Sequence, residues 1–233
     1  MTWASLFERA DAIAPAISVA DVRDELAEHR SAGEASEDQR AVPGSSDGSA
    51  AETGERSGQT EDRTDESGGG GGGETEESGR PDPARVVADA DVLAADLLVG
   101  GEARPAMDQV RTHRWVDLVA SDDLLADGIA VVTSLADAEL AQDWGERLAA
   151  LRVRVTHPPG DHPGLASAYA GRAAHLLTFD EGLSSSEANL ALRDHLRVSV
   201  RTPHAFATLF DPERLYPAVV GGEYPGPDTD PRA

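Results

Sequence analysis

A short run of β-branched and small apolar residues ends in an acid, and a helical pattern follows at once. The run covers residues 86–88, the acid is Asp89, and the helical pattern begins at about residue 91. Runs of this kind predict buried strands of a parallel sheet. Ligand sites in open α/β sheets lie beyond the carboxyl ends of the strands, where Asp89 would be placed. The stretch therefore predicts an α/β fold with an acidic side chain at its ligand-binding edge.

The same alternation of strand and helix patterns continues to about residue 216. Strands are predicted at 85–89, 115–120, 152–156, 174–179 and 197–202. Helices are predicted between them, at 91–99, 103–113, 122–133, 135–150, 164–172 and 204–210. Strands that alternate with helices predict a central, mainly parallel sheet covered on both faces, which is a three-layer α/β/α sandwich. One domain over 85–216 is therefore expected.

Three further segments flank this domain. Residues 1–30 carry apolar side chains at helical spacing, and Ser18 with Asp21 forms a capping box, so a helical hairpin is predicted. The hairpin is too small to hold a core alone, so it should dock on the main domain, on a second copy in a homodimer, or on a protein partner. Residues 31–84 carry 14 acids and 4 bases with almost no large apolar side chains, which predicts a disordered acidic linker. Residues 217–233 are rich in Gly and Pro and predict an extended tail.

The composition restricts both the setting and the chemistry of the chain. It has 43 acids against 20 bases, all of them Arg, and contains neither Lys nor Cys. A net charge of −23 indicates adaptation to a cytoplasm of molar salt, in which like-charge repulsion is largely screened. The lack of Cys excludes disulfides, thiolate metal sites and a Cys nucleophile. No signal-peptide pattern occurs at the start, and no apolar run approaches the roughly 18 residues of a membrane span, so a cytoplasmic protein without a membrane partner is predicted.

Four acids are distinguished by their positions in the predicted fold. Asp89 and Asp180 end the first and fourth strands, Asp127 lies in the helix after the second strand, and Asp161 opens a helix after a turn. Strand ends and the helix starts that follow them face the same edge of a parallel sheet, so these carboxylates can converge. Carboxylates are the ligands that Mg²⁺ and Mn²⁺ prefer. Each of these acids also has a purely structural interpretation, as a helix cap or a solvated surface side chain.

The motifs around these acids follow the order seen in a known family. Residues 86–93, with an Asp after an apolar strand, resemble the opening strand of PIN-domain ribonucleases. Residues 118–127 resemble the second segment of that family, where a strand and a Ser lead to an acid on the next helix. Asp161 with its Ala-rich helix, followed by residues 178–180, resembles the closing Asp and Thr-x-Asp motifs. Residues 198–206 resemble the final strand and the Thr-Pro helix start. PIN-like proteins of salt-adapted archaea are the members that the chain resembles most.

The resemblance covers about 85–216 and implies a metal-dependent endoribonuclease that hydrolyses RNA with Mg²⁺ or Mn²⁺. The implied metal ligands and catalytic acids are Asp89, Asp127, Asp161 and Asp180. Thr178 matches the position of a hydroxyl that would orient water or Asp180. The sequence departs from the family at two positions, since Asp91 replaces the common Asn and Asp127 replaces the commoner, longer Glu.

Two alternatives remain open from the sequence. Residues 89–92 also match the Asp-x-Asp start of haloacid-dehalogenase-like phosphatases, with Asp89 as nucleophile and Asp91 as general acid, but such enzymes usually need a later Lys and the chain has none. The stronger alternative is a PIN-like fold that binds RNA or a protein without cleaving it, because residues 85–216 carry 20 acids against 12 Arg and no basic stripe. The nuclease and binding hypotheses differ in whether the four carboxylates lie within reach of one metal ion.

Overall fold

A five-stranded parallel sheet forms the centre of the fold. The computed structural model describes residues 1–40, 80–185 and 197–233, with side chains for 1–33 of the first range. The strands are β1 (Asp82–Ala88), β2 (Asp117–Ser121), β3 (Val153–Val155), β4 (Ala173–Leu177) and β5 (Ser199–Arg201), in the spatial order β3-β2-β1-β4-β5. All four pairings are parallel.

Ten helices in the described part of the chain surround this sheet. They are α1 (Trp3–Ile13), α2 (Val19–Arg40), α3 (Ala90–Leu98), α4 (Ala103–Thr112), α5 (Asp122–Leu135), α6 (Ala138–Leu151), α7 (Pro163–Ala170), α8 (Glu181–Ser184), α9 (Pro203–Leu209) and α10 (Pro212–Val219). The arrangement confirms the predicted α/β class and the three-layer α/β/α sandwich. None of these helices is both long and apolar enough to cross a bilayer.

The connections of β1 and β4 place a crevice between these two neighbouring strands. The chain leaves β1 towards β2 and then β3, crosses back to β4 on the other side of β1, and continues outward to β5. Val87 in β1 pairs with Leu176 in β4, and Ala88 with Leu177. Connections that leave adjacent strands in opposite directions open a crevice at their carboxyl ends, which is where open α/β sheets bind ligands. The topology therefore predicts a ligand site at the residues that follow Ala88 and Leu177.

The helix after β1 is buried on every side. Residues Ala90–Leu98 of α3 are all buried, including Asp91 and Asp96. The helix lies under α1, α2, α4 and α5 and contacts β1 beneath it. An acid in such a helix has no solvent to share its charge, so each of the two must have a partner or a raised pKa.

The N-terminal helices belong to the same core as the α/β domain. Helix α1 packs against α3 and α6, and α2 against α3 and α5. Their apolar contributions to the core are Trp3, Leu6, Phe7, Ala10, Ala14, Val22 and Leu26, all buried. Burial of the five larger side chains is worth on the order of 10 kcal/mol, so the pair is a fixed part of the fold. Of the predicted docking surfaces, the structure uses the main domain, and a homodimer or protein partner would have to use another face of the pair.

The capping box predicted before α2 is present. The Asp21 carboxylate accepts hydrogen bonds from the Ser18 backbone N–H at 2.9 Å and from its hydroxyl at 2.7 Å, and the Asp21 N–H donates to Ser18 Oγ at 3.3 Å. The same contacts lower the pKa of Asp21.

Removal of this cap gives a first testable prediction. Ser18→Ala should lower the free energy of unfolding by about 1 kcal/mol, because the Asp21 N–H loses its side-chain acceptor. Ser18→Thr keeps the hydroxyl and serves as the matched control, with a loss below about 0.5 kcal/mol expected. Urea denaturation followed by circular dichroism measures both values, and equal losses in the two variants would contradict the assignment.

The segment boundaries differ from the predicted ones at both ends of the domain. Helix α2 continues to Arg40, beyond the predicted hairpin end at residue 30, and β1 begins at Asp82 rather than at 85. The predicted linker spans 31–84, and its part over 41–79 lies outside the described residues. In the predicted tail, helix α10 extends to Val219 and the following chain is docked. The Asp228 N–H donates to the Thr112 carbonyl, and the Trp3 N–H donates to the carbonyl of the final residue. Backbone hydrogen bonds to distant elements leave no periodic mark in the sequence, so the sequence predicts an extended tail but not its docking.

Candidate functional site

Asp89 is the first residue beyond β1 and the N-cap of α3. Its Oδ1 accepts a hydrogen bond from the Ala90 N–H at 2.8 Å, and its backbone N–H donates to the Leu177 carbonyl of β4 at 2.8 Å. The side chain is 1% exposed. Asp89 therefore caps a helix and also lies at the crevice, so both interpretations of its sequence position apply. Capping uses Oδ1, while Oδ2 faces His162 Nε2 at 3.6 Å.

Asp91 lies in the first turn of α3, and one of its carboxylate oxygens is unsatisfied within the part of the chain that the structure describes. Its Oδ2 accepts hydrogen bonds from the Phe179 N–H at 2.9 Å and from the Thr178 hydroxyl at 3.2 Å. Its buried Oδ1 has no hydrogen-bond partner among the residues that the structure describes. Burial, and then the adjacent Asp89 charge, raise the pKa of Asp91 to about 7 against the opposing hydrogen bonds. Because Oδ2 is already an acceptor, a proton on this carboxyl group belongs on Oδ1.

The loop after β4 supplies the polar groups on the other side of the crevice. The Thr178 hydroxyl is wholly buried, lies 3.5 Å from Asp89 Oδ2, and accepts a hydrogen bond from the Asp180 N–H at 3.0 Å. Asp180 caps α8 by accepting from the Gly182 N–H at 2.7 Å. The predicted Thr-x-Asp motif therefore brings Thr178 into contact with Asp89 and Asp91, and holds Asp180 beside them through the backbone.

Asp127 of α5 is connected to Asp89 by an arginine from the N-terminal helices, which hydrogen-bonds to both acids. Arg30 of α2 donates from Nη2 to Asp89 Oδ1 at 3.0 Å and from Nε to Asp127 Oδ2 at 2.8 Å. Its Nη1 lies 3.0 Å from His162 Nε2, and because a guanidinium only donates, this ring nitrogen must accept. Burial opposes the Arg30 charge, but the two carboxylates outweigh it and raise the pKa of Arg30.

The fourth predicted ligand, Asp161, lies in a neighbouring cavity. Its side chain is exposed, and it lines a space of about 410 Å³ with His157, His162, Leu165 and Tyr169 among its other walls. Asp89, Asp91 and Asp180 instead line a cavity of about 380 Å³ under α2, which we call the carboxylate cavity. His162 lines both spaces. The structure thus groups Asp89, Asp180 and Thr178, links Asp127 to Asp89 through Arg30, and sets Asp161 apart.

A third cavity of about 410 Å³ lies between β4, β5 and the last two helices. Its walls include His175, Arg201, Phe206 and Arg214. Burial and then the Arg201 charge lower the pKa of His175 to about 4, so its ring is neutral near pH 7. This cavity contains none of the acids at the β1 and β4 ends, and we do not assign it to the same chemistry.

The donor set of the carboxylate cavity suits a hard divalent cation, although its present arrangement does not form a complete ligand group. Within residues 1–33, 80–185 and 197–233, no three His, Asp or Glu side chains are arranged so that they could hold a metal ion. Carboxylate oxygens are nevertheless the ligands that Mg²⁺ and Mn²⁺ use, and Asp91 Oδ1 is a buried one without a partner. Asp89 Oδ2 is close by, since both carboxylates contact the Thr178 hydroxyl. A cation there would satisfy the orphaned oxygen.

Sequence reasoning missed two members of this site. Asp91 is a departure from the family pattern and the general acid of the phosphatase alternative, but the sequence did not predict it as a metal ligand. An acid within a helix that is apolar on all sides was a usable signal, because such an acid must be paired or protonated. Arg30 gave no signal, since it lies 59 residues from Asp89 and 97 from Asp127 in the sequence.

The fold and the cavity define an α/β protein with a buried acidic crevice at the switch point of a parallel sheet. Residues 80–232 match the model of a protein family described as a family of unknown function (DUF7384), and the chain belongs to that family. No curated protein and no solved structure matches the chain significantly. Helices α1 and α2, with Arg30, lie outside the matched range.

Proposed function

We propose that the chain is a divalent-metal-dependent nuclease of the PIN type that hydrolyses RNA phosphodiester bonds. The observation that carries the metal part is the buried, partnerless Oδ1 of Asp91 beside Asp89, at the carboxyl ends of β1 and β4. The RNA part rests on the order of the PIN-like motifs along the sequence.

The residues of the crevice would have different roles, as metal ligands or as groups that orient those ligands. Asp89, Asp91 and Asp180 would hold Mg²⁺ or Mn²⁺, while Asp127 and Asp161 remain predicted ligands that are further from this group. The bound ion would stabilise the negative charge on the scissile phosphate and lower the pKa of an attacking water. The Thr178 hydroxyl orients Asp91 by donating to its Oδ2, and the Asp180 N–H fixes that hydroxyl in turn.

Asp91 also couples the site to pH. With its pKa raised to about 7, the free site retains a proton on this carboxyl group below neutrality. That proton must leave Oδ1 before the oxygen can act as a ligand, so cation uptake should release protons and strengthen as the pH rises through 7.

Calorimetric titration of Mn²⁺ into the full chain in molar KCl tests the proposal. Saturable binding is expected in the wild type, with a loss of at least tenfold in affinity in Asp89→Asn and in Asp180→Asn. Asparagine keeps the capping oxygen at both positions, so each variant should fold. Asp123→Asn is the matched control, because this acid is 65% exposed and lies outside the carboxylate cavity.

Three results separate the hypotheses. Binding that is lost in both site variants and kept in the control supports the metal site, and cleavage of a labelled RNA panel that fails in the same two variants supports the nuclease. Mn²⁺ uptake by the wild type no greater than that of Asp89→Asn overturns the metal site. Asp161→Asn in the same series shows whether the acid in the neighbouring cavity takes part.

One observation favours the alternative of a PIN-like module that binds RNA or a protein without cleavage. Asp89 and Asp127 are already paired with Arg30, and no complete ligand group exists in the described part of the chain. RNA retention by Asp89→Asn equal to that of the wild type, without cleavage by either, would support this module.

A further inference from the structure

Arg30 lies between Asp89, one of the three carboxylates of the proposed cation site, and Asp127, a predicted ligand further from it. Its guanidinium lies 3.0 Å from Asp89 Oδ1 and 2.8 Å from Asp127 Oδ2, and the Asp89 side chain is 1% exposed. No other arginine in the described ranges pairs with either acid. One arginine therefore pairs with two buried or half-buried carboxylates. Two histidines also face them: His162 Nε2 lies 3.6 Å from Asp89 Oδ2, and His29 Nε2 lies 3.6 Å from Asp127 Oδ1.

A guanidinium and a divalent cation compete for the Asp89 carboxylate. An arginine stays protonated at all relevant pH values, so it cannot yield by losing its charge. A divalent ion on Asp89 lies within a few ångströms of the Arg30 guanidinium, and the repulsion between the two cations weakens the binding of each to this carboxylate. Tight binding of one cation to Asp89 therefore requires the other to leave.

The side chain of Arg30, rather than its helix, is the part that can move. Helix α2 is held by Val22 and Leu26, which are 0% and 5% exposed, and α1 adds further buried side chains. Arg30 follows Leu26 by one turn, and its own side chain is 24% exposed, at the rim of the carboxylate cavity. A rotation about the bonds of this long side chain releases both acids and leaves the core of the helical pair in place.

We propose that Arg30 is an internal counter-ion of the carboxylate cavity, which a divalent cation must displace from Asp89 and Asp127 before it binds. The inference rests on the proposed metal site and concerns its regulation. The N-terminal helices, which lie outside the family-matched range, thus set the cation affinity of the family domain. The affinity for Mg²⁺ or Mn²⁺ is therefore set by how far the free energy of its contacts with the carboxylates exceeds that of the Arg30 contacts it replaces.

The test compares Arg30→Met with Arg23→Met in the full chain. Arg23 lies on the same helix and lines the same cavity, but pairs with no acid in the described part of the chain. Loss of Arg23 therefore reproduces the change in net charge without releasing the carboxylates. Calorimetric titration with Mn²⁺ alone should give at least tenfold tighter binding in Arg30→Met than in the wild type, and no more than about twofold tighter binding in Arg23→Met.

A second measurement follows the displacement itself in the wild type. The Nε–H signal of Arg30, which is hydrogen-bonded to Asp127, should shift on titration with diamagnetic Mg²⁺ in a ¹⁵N spectrum, while the Arg23 signal stays in place. Hydrogen exchange of the α1 amides should not change, because the helix remains docked. Arg30→Lys keeps the charge but lacks the two-pronged contact, and it replaces Arg30→Met in the test if that variant does not fold. A Mn²⁺ affinity of Arg30→Lys that lies between those of the wild type and Arg23→Met would then contradict the inference.

The outcomes distinguish this inference from the proposed function. Equal Mn²⁺ affinities in Arg30→Met and the wild type overturn the inference and leave the metal site standing. Weaker binding in Arg30→Met, or equal gains in both variants, also overturns it. Absence of Mn²⁺ binding in every form overturns the metal site itself, and the inference with it. An unmoved Arg30 signal at saturating Mg²⁺ shows that Arg30 is not displaced, and this overturns the inference.

Discussion

Arg111→Met should lower the free energy of unfolding by about 3–5 kcal/mol, because it leaves a buried acid short of its partner. Arg111 donates to Asp96 from both terminal nitrogens, at 2.6 and 3.0 Å, and to Asp108 at 2.8 Å. The side chains of Arg111 and Asp96 are 2% and 3% exposed. Asp96 would keep Arg104, at 3.0 Å, as its remaining cation.

The same arginine joins the N-terminal helix to the α/β domain. The Arg111 guanidinium lies 4.8 Å from the Trp3 ring centroid and 5.4 Å from that of Phe7. Its loss therefore removes cation–π contacts together with the buried ion pair, and the protection of α1 amides against hydrogen exchange should fall as well.

An exposed arginine provides the control for Arg111. Arg154 pairs with Asp122, but its side chain is 64% exposed, so Arg154→Met should cost less than about 1 kcal/mol. Urea denaturation at fixed salt compares the two variants. Similar losses would mean that the Asp96–Arg111 pair contributes no more to stability than a surface pair.

Asp91→Asn should stabilise the protein at pH 8 and lose that advantage at low pH. The pKa of Asp91 is raised from an ordinary value of 3.8 to about 7 by burial and by the Asp89 charge. Between these values the folded state binds a proton that the unfolded state does not, so stability falls as the pH rises towards 7. Above pH 7 the buried charge costs roughly 4 kcal/mol at most relative to the protonated form.

The measurement is a pair of urea titrations, near pH 4 and at pH 8, in metal-free buffer of constant salt. The wild type minus Asp91→Asn difference cancels the contribution of the other acids. It should change by a few kcal/mol between the two pH values, with the variant the more stable at pH 8. Asp24→Asn, an exposed change on the wall of the same cavity, should shift stability by less than about 0.5 kcal/mol at either pH. A wild type minus Asp91→Asn difference that does not vary with pH would show that Asp91 is ionised throughout.

These two acids explain how a wholly buried helix tolerates charge. Asp96 is neutralised by Arg104 and Arg111, as expected for a structural ion-pair network. Asp91 pairs with no cation within the described ranges, and its charge is suppressed by a raised pKa instead. An acid that is kept protonated at a structural cost, next to a capping acid and at a topological switch point, is the pattern that functional sites show.

Local sequence patterns predicted the frame of the molecule. The period of apolar residues identified all five strands, and the positions of Asp89 and Asp180 after two of them placed both acids at one edge of the sheet. Capping chemistry predicted the start of α2 at Ser18. These features depend on neighbours within a few residues along the chain, so a single sequence contains the information needed to infer them.

The state of the carboxylates was decided by the tertiary structure alone. Arg30 meets Asp89 and Asp127 because α2 packs on α3 and α5, and no periodic pattern encodes a contact of 3 Å between residues so distant in sequence. Tertiary packing also separates Asp161 from the carboxylate cavity. Strand ends and helix starts face one edge of the sheet, but their side chains do not all meet there, and Asp161 lines the neighbouring cavity. Charge pairing and desolvation act over a few ångströms, and only the packed chain fixes those distances.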